Sequence, residues 1–335
     1  MKKNIIYCFV CFHTLLVCGQ TIKTINIERT NTRPVNLSEI AEKVTPIALE
    51  TSVGIILNGN VLLTNEYLFI TSHTSVIQYD LTGKFIRNIN CEDFISYNVT
   101  SDTIKKELYV PVGNLIKCYD YSGKLKKEYS LKMSSLYCLY HKGVLWALLQ
   151  DAQPDRSIVY TINKVNLTTG EVAALPFEKK IDPVQFENGP LVGLGAIGRI
   201  SLYDEEVVVS FDFEEVLYKI QQDRIIPFVQ WNVSPPAKNA DVYQLRANGF
   251  TGENLFINYR CDDQFYIYLE NIKTGMTYNV SNLIDDVFFT NRECGIYFMN
   301  QGYFYFLKDR SDIKGSSVGN IPLKNGPVIF IVKTK

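Results

Sequence analysis

Val76-Ile77-Gln78-Tyr79-Asp80-Leu81-Thr82-Gly83-Lys84-Phe85-Ile86-Arg87 reads as strand, tight turn, strand. An aspartate side chain can accept from the backbone two residues on, and glycine takes the left-handed conformation that closes a short hairpin. Forty residues later the pattern returns as Leu115-Ile116-Lys117-Cys118-Tyr119-Asp120-Tyr121-Ser122-Gly123-Lys124-Leu125, with the same Asp-x-x-Gly-Lys turn. Looser copies follow at Val165–Gly170, Tyr218–Asp223 and Leu269–Gly275. Turn positions 80, 120, 166, 223 and 271 are separated by 40, 46, 57 and 48 residues. A period in the forties, with about four strands per unit, is the signature of a propeller blade.

The rest of the chain agrees. Tyr and Phe together number 40, and short apolar or alternating runs recur between Gly, Asn, Asp and Ser with no long helical periodicity. The first blade parses into strands at 59–64, 67–71, 76–80 and 85–89, and the fifth at 243–248, 255–259, 265–271 and 276–280. The last blade offers strands at 295–299, 303–307 and 328–333 and lacks a fourth. Val44-Thr45-Pro46-Ile47-Ala48-Leu49-Glu50 can supply it. Closing the ring with both termini removes exposed sheet edges, and Pro46 is tolerable in an outermost strand. The expected fold is an all-β, six-bladed β-propeller closed by an N-terminal strand.

With 335 residues, 46% of them hydrophobic, one large core is feasible; a net charge of −1 excludes a basic nucleic-acid footprint. Lys2 and Lys3 precede an apolar run from Ile5 to Val17, too short to span a bilayer and suited to a signal-peptide core. Cleavage after Gly19 is expected. Lipid attachment at Cys18 is the alternative, with Val17 larger than the small residue such signals carry before the cysteine. No later segment reaches 18 uninterrupted apolar residues, so no transmembrane span is expected. The layout is then a leader at 1–19, a lead-in at 20–43 and a propeller at 44–335. Past the leader, Cys91, Cys118, Cys138, Cys261 and Cys294 make an odd set, read as buried small hydrophobes rather than a disulfide framework.

Four stretches resemble the secreted six-bladed propellers abundant in Bacteroidota, of the NHL/TolB-like kind. They are Asn36-Leu37-Ser38-Glu39-Ile40 leading to Ile47-Ala48-Leu49-Glu50-Thr51, Tyr79 to Ile86, Ile272-Lys273-Thr274-Gly275, and Asn325-Gly326-Pro327-Val328-Ile329-Phe330. The likeness covers about residues 36 to 335. It implies an exported protein of the periplasm or outer membrane and supplies no catalytic residues. Two departures stand out. Asn90-Cys91-Glu92-Asp93-Phe94 replaces the Gly- and Pro-rich segment such proteins often carry, and Gly326 interrupts the terminal Asn-Pro. Asp102-Thr103-Ile104 also resembles the Asp-Ser/Thr-aliphatic acceptor for O-glycosylation in that phylum, which makes Thr103 a candidate.

Motifs with chemical meaning are weak. Gly193-Leu194-Gly195-Ala196-Ile197-Gly198 matches a dinucleotide fingerprint, but strand-like residues follow where a helix must open. Gly315-Ser316-Ser317-Val318-Gly319 matches a nucleophile elbow, but no histidine follows it. Past the leader, only His73 and His141 occur, without zinc spacing. Asp262-Asp263 and Asp285-Asp286 lack the spacing of a calcium loop. Arg199, Arg246, Asn98 and Asn248 fall near inner strands and are the candidate ligand-binding residues; an arginine there can clamp a carboxylate. Asn58 and Asn60 join Asn98 and Asn248 as channel amides that could hold calcium. The loops 309–327 and 150–157 are expected on one face as recognition loops.

Two functions fit this pattern. One is a non-enzymatic binding propeller of the cell envelope with a peptide, glycan or protein partner and no cofactor. The other is a calcium-assisted hydrolase or lyase acting in the central channel.

Overall fold

The computed structural model describes residues 22–50, 60–93, 95, 98–182, 198–211, 214–234, 249–261, 264–290, 293–299, 303–324 and 326–335. Six sheets of four or five strands form the blades of a propeller. Blade 1 contains Val61–Leu63, Tyr67–Thr71, Ser75–Asp80 and Phe85–Asn90, from the channel outward. Blade 2 contains Thr100–Asp102, Glu107–Val112, Leu115–Asp120 and Leu125–Ser130. Blade 3 is Ser134–His141, Val144–Ala152, Ile158–Asn166 and Val172–Ile181. Blade 4 is Gly198–Tyr203, Glu206–Phe211, Val216–Gln221 and Arg224–Ser234. Of blade 5 the described residues contain Gly249–Thr251, Asn254–Cys261, Gln264–Asn271 and Thr277–Ile284; the stretch 243–248, expected as its inner strand, lies outside the described residues.

Burial explains why each blade has this profile. Tyr67–Thr71, Ser75–Asp80 and Glu107–Val112 are buried almost throughout, whereas Phe85–Asn90 and Leu125–Ser130 are largely exposed. A middle strand is covered by a neighbouring blade on each face, so its apolar residues run continuously instead of alternating. The rim strand meets water.

The hairpin turns that revealed the period join the third and fourth strands. Asp80 accepts from the backbone N–H of Thr82 (2.9 Å) and Lys84 (3.0 Å), and Asp120 does the same for Ser122 and Lys124. Asn166 and Asn271 take that place in blades 3 and 5, accepting from Thr168 and Thr169 and from Lys273 and Thr274. In blade 4 the turn is Gln222-Asp223, both at positive φ. Three of the glycine turns also reach a neighbouring strand or blade, whereas a Cβ on Gly275 in the blade 5 turn meets nothing within 4 Å. Gly123 lies on Ile89 and Gly170 on Lys127, while Gly83 meets Ala48 of the closing strand.

Ring closure follows the expectation and extends it. Blade 6 is ordered Tyr297–Phe298, Tyr303–Lys308, Val328–Thr334 and then Ala41–Ala48 from the N-terminal side of the chain. Pro46 faces Phe330 in this outermost strand, where its missing N–H leaves no ladder bond unmade. Leu49 N–H donates to Pro327 O at 3.0 Å and Glu50 N–H to Gly83 O at 2.9 Å, which carries the closure onto blade 1. The stretch read as a lead-in is itself sheet. Lys23–Glu28 adds to blade 4 parallel to Arg224–Ser234, and Arg33–Asn36 adds to blade 5 parallel to Thr277–Ile284. Ile25 and Ile27 are buried there, and the unpaired rim of each blade gains a partner. No helix among the described residues is long and apolar enough to cross a membrane.

Two predictions follow from the turns. Gly83 (φ +79) and Gly143 (φ +81) share a conformation, but a Cβ on Gly83 would stand 2.1 Å from Ala48 O, while one on Gly143 meets nothing within 4 Å. Gly143→Ala should cost about 1–2 kcal/mol from the left-handed backbone alone, and Gly83→Ala distinctly more; equal urea midpoints would refute the closure contact. Ser122 and the backbone N–H groups of Lys124 and Ser122 hold the Asp120 carboxyl below its ordinary 3.8. Its stabilising contribution is complete above that value and drains as pH falls through the lower folded-state value. Asp120→Asn, which copies the turns at 166 and 271, should keep neutral-pH stability and flatten the acid limb of the stability curve; an unchanged limb would refute the assignment.

Candidate functional site

Inner strands line the central channel with Asn60, Val61 and Leu62 from blade 1, Asn98 and Val99 before the inner strand of blade 2, Tyr137 of blade 3, Arg199 and Ile200 of blade 4, and Met299 of blade 6. The cavity between them is about 20 Å³. Arg199 is half-buried at its surface yet strongly desolvated: burial lowers its pKa, against the opposing influence of Tyr137 and Tyr305.

The candidate ligand residues separate at this point. Asn98 Nδ2 donates to Cys138 O at 2.7 Å, and its Oδ1 accepts from Cys138 N–H at 2.9 Å. Both ends of the amide are thus committed to the inner strand of blade 3, and Asn98 staples two blades. Arg199 faces the channel, as its place on the inner strand implied. Arg246, Asn248 and Asn58 lie outside the described residues, as does Cys18.

The two supposed recognition loops are folded elements. Within 309–327, Ser317–Val318 pairs with Ile321–Pro322, and Ile313 and Val318 are buried against Phe304, Phe306 and Phe330. Excising this flap would open the core between blades 5 and 6, so it is not a dispensable binding loop. Residues 153–157 form a tight turn, Gln153 N–H donating to Ser157 O and Arg156 N–H to Gln153 O. The Gly315–Gly319 motif therefore sits in a hairpin rather than a strand-to-helix elbow, and Gly198 of the glycine-rich motif opens a strand.

The remaining acids and thiols have structural partners. Asp285 accepts from the N–H groups of Val287, Phe288 and Thr290 and from the Thr290 hydroxyl, and Asp286 accepts from Ser38. Asp262 and Asp263 lie outside the described residues. Among the described residues, no three His, Cys, Asp or Glu side chains come together as a metal-ligand group. Cys91, Cys118, Cys138 and Cys294 are buried free thiols; burial pushes Cys91 and Cys118 up to about 11 and Cys294 up to about 12. Such thiols are protonated and inert. Thr103 is exposed in a turn beside Ile104, which is 92% exposed, and buried Asp102 caps that turn by accepting from the N–H groups of Ile104 and Lys105.

A larger groove of about 170 Å³ opens between blades 5 and 6, on the face that carries the inter-blade connections. Asn258, Phe265, Asn282, Glu293, Cys294 and Ile296 line it. Phe265 is 54% exposed, although it begins a strand whose later residues are buried. The one sequence signal for this site was an aromatic residue close after the acidic pair Asp262-Asp263. Asn282 joins it from the fourth strand of the same blade, and Glu293 from the segment that enters blade 6.

Asn98→Ala should remove both cross-blade hydrogen bonds and lower global stability by about 2–3 kcal/mol, measured by urea unfolding. An unchanged transition would show that Asn98 is not a staple.

No family model matches the chain, and no curated protein does. Solved structures do. A Bacteroides fragilis chain whose given name classes it as exported is similar over 94% of this chain and 100% of its own, with a TM-score of 0.65 and 14% identity. A member of the DUF4221 family from Bacteroides vulgatus is similar over 88% and 97%, with a TM-score of 0.50 and 10% identity. A protein of unknown function from Bacteroides thetaiotaomicron covers 88% and 77%, with a TM-score of 0.49 and 11% identity. At such identities the likeness is one of fold. The chain is a six-bladed propeller that shares its architecture with Bacteroides proteins, one of them named as exported, in keeping with the resemblance carried by its turns.

Proposed function

We propose that this chain is an exported binding propeller of the bacterial envelope. It engages a peptide, glycan or protein partner on its connection face and carries out no reaction in its channel. The observation behind this reading is the contrast between the two spaces. The channel cavity of about 20 Å³ is filled by Arg199, Tyr137 and their neighbours, whereas the groove between blades 5 and 6 holds about 170 Å³ and opens to solvent. Pockets that enclose whole small-molecule substrates run to roughly 300–1,000 Å³. The groove therefore suits one protruding group of a larger partner, such as a side chain or a single sugar ring. Phe265 offers an exposed apolar plane beside the amides of Asn258 and Asn282, a mixture that orients an amphipathic ligand. A calcium-assisted hydrolase or lyase needs converging acids in the channel, and the described lining there contributes amides, aliphatics, a phenol and one guanidinium.

In this reading residues 1–19 are a removable leader, with a lipid on Cys18 as the alternative anchor. Arg246 and Asn248, which directly precede blade 5 in the chain, remain ligand candidates by chain position. Thr103, on its exposed turn, remains an acceptor for O-glycosylation.

Phe265→Ala and Glu293→Gln change the groove without touching the core, so both should melt like the parent chain. On peptide and glycan arrays the parent should show hits that weaken at least about tenfold in Phe265→Ala, the effect of losing about 1.4 kcal/mol. Hits indifferent to both substitutions would move the site elsewhere. Turnover of any arrayed substrate would overturn the binding reading in favour of an enzyme.

A further inference from the structure

The groove suits one protruding group, and the chain carries such a group beside it. The connection that leaves blade 5 is shut at its base by Cys294 N–H donating to Leu283 O at 3.0 Å, and both residues line the groove. Buried Asp285 shapes the start of this connection, its carboxylate accepting from the N–H groups of Val287, Phe288 and Thr290 and from the Thr290 hydroxyl. Phe288 turns inward, its ring 5.4 Å from that of Phe330. Phe289 is 77% exposed at φ +53, a conformation that a bulky side chain rarely adopts. Burial within one copy does not offset that strain. Of the ten large apolar side chains exposed among the described residues, four belong to this groove and connection: Phe265, Ile284, Val287 and Phe289.

Size, position and charge match this ring to the groove of another copy. An apolar cavity of about 150 Å³ takes up benzene. The groove of about 170 Å³ therefore has room for one phenyl ring, against apolar walls that include Ile267, Val280, Leu283 and Ile296. Because the ring and the groove share one loop base, a single two-fold axis can satisfy both, each copy's Phe289 entering the other's groove. Glu293 is exposed at the groove, and the flap that lies against Phe288 at Gly319 carries exposed Lys314; neither side chain makes an ion pair among the described residues. A patch that carries both signs is self-complementary about a two-fold axis, whereas a patch of one sign repels its copy. Four apolar side chains a copy fall far below the roughly 20–30 residues on each side of a standard interface, so the pairing is weak and reversible.

We propose that a second copy of this chain occupies the groove, in a weak two-fold dimer held by reciprocal insertion of Phe289. This names the partner of the groove and rests on the reading of that groove as a recognition site. Dimerisation fills both grooves and so competes with any other ligand for them.

The test is sedimentation velocity of the full chain from about 1 µM to 1 mM, the range of weak association. The average mass should rise from one chain toward two. Phe289→Gly suits the backbone and removes the ring, so it should melt no lower than the parent in dilute solution and stay monomeric. Asn282→Trp fills the groove and should weaken the dimer at least about tenfold. Mixed together, the two variants supply one ring and one open groove, so the mixture should associate more tightly than either variant alone. A parent that stays monomeric would overturn the dimer, as would association indifferent to Phe289→Gly or a mixture no tighter than its components. Array hits that fall with Phe265→Ala in a monomeric parent would keep the groove as a recognition site and strike only the second copy. Vesicles of phosphatidylethanolamine and phosphatidylglycerol that bind a monomeric parent but not Phe289→Gly would assign the loop to lipid instead.

Discussion

Each blade is a sheet whose middle strands are apolar on both faces, and neither face can be left in water. The only arrangement that covers both faces of every blade with other blades is a closed ring. The core reflects this constraint directly. Six clusters of buried residues are present among the described residues, and each is the contact between two adjacent blades. Burial of this kind is the main favourable term in folding, so the structure depends on every junction being made.

The junction between blades 6 and 1 is the one the chain cannot make by simple progression. Its cluster combines Ile329 and Ile331 near the C-terminus with Leu68, Ile77 and Tyr79 of blade 1, together with Ile47 and Leu49 of the closing strand. The N-terminal segment solves this problem and does more. It runs along the outside of blades 4 and 5 as two parallel strands before it enters blade 6. Lys23 pairs with Glu270, Asn279 donates to Glu28 O, and Asp286 holds Ser38 along the way. Three consecutive blades are thereby strapped together on their outer rim, while blades 1 to 3 are joined at the rim by their glycine turns, and blades 1 and 2 also by the ion pair Lys106–Glu66 between their innermost hairpins.

This architecture also separates structural polarity from recognition. Of the residues near the channel that looked like ligands, Asn98 is used in holding two blades together. The long segment 309–327 behaves the same way, because its apolar residues complete the core between blades 5 and 6. The groove beside it is left over from that packing. It is lined by the strand ends of blade 5 and by residues 293–296 ahead of blade 6, and it leaves an exposed phenylalanine and an exposed glutamate there.

The local chemistry of the chain was enough to determine the blade repeat, the Asp- and Asn-capped turns, the all-β class and the need for a strand from the N-terminal side. These follow from backbone conformation and from side chains acting within a few residues, and both are written in consecutive positions. Tertiary structure alone decided that Ile25 and Ile27 belong to a fifth strand on blade 4, that Asn98 faces Cys138, and that Phe265 and Glu293 share a groove. Those outcomes depend on which side chains the ring brings face to face between neighbouring blades and against the N-terminal segment, and no local pattern along the chain encodes that pairing.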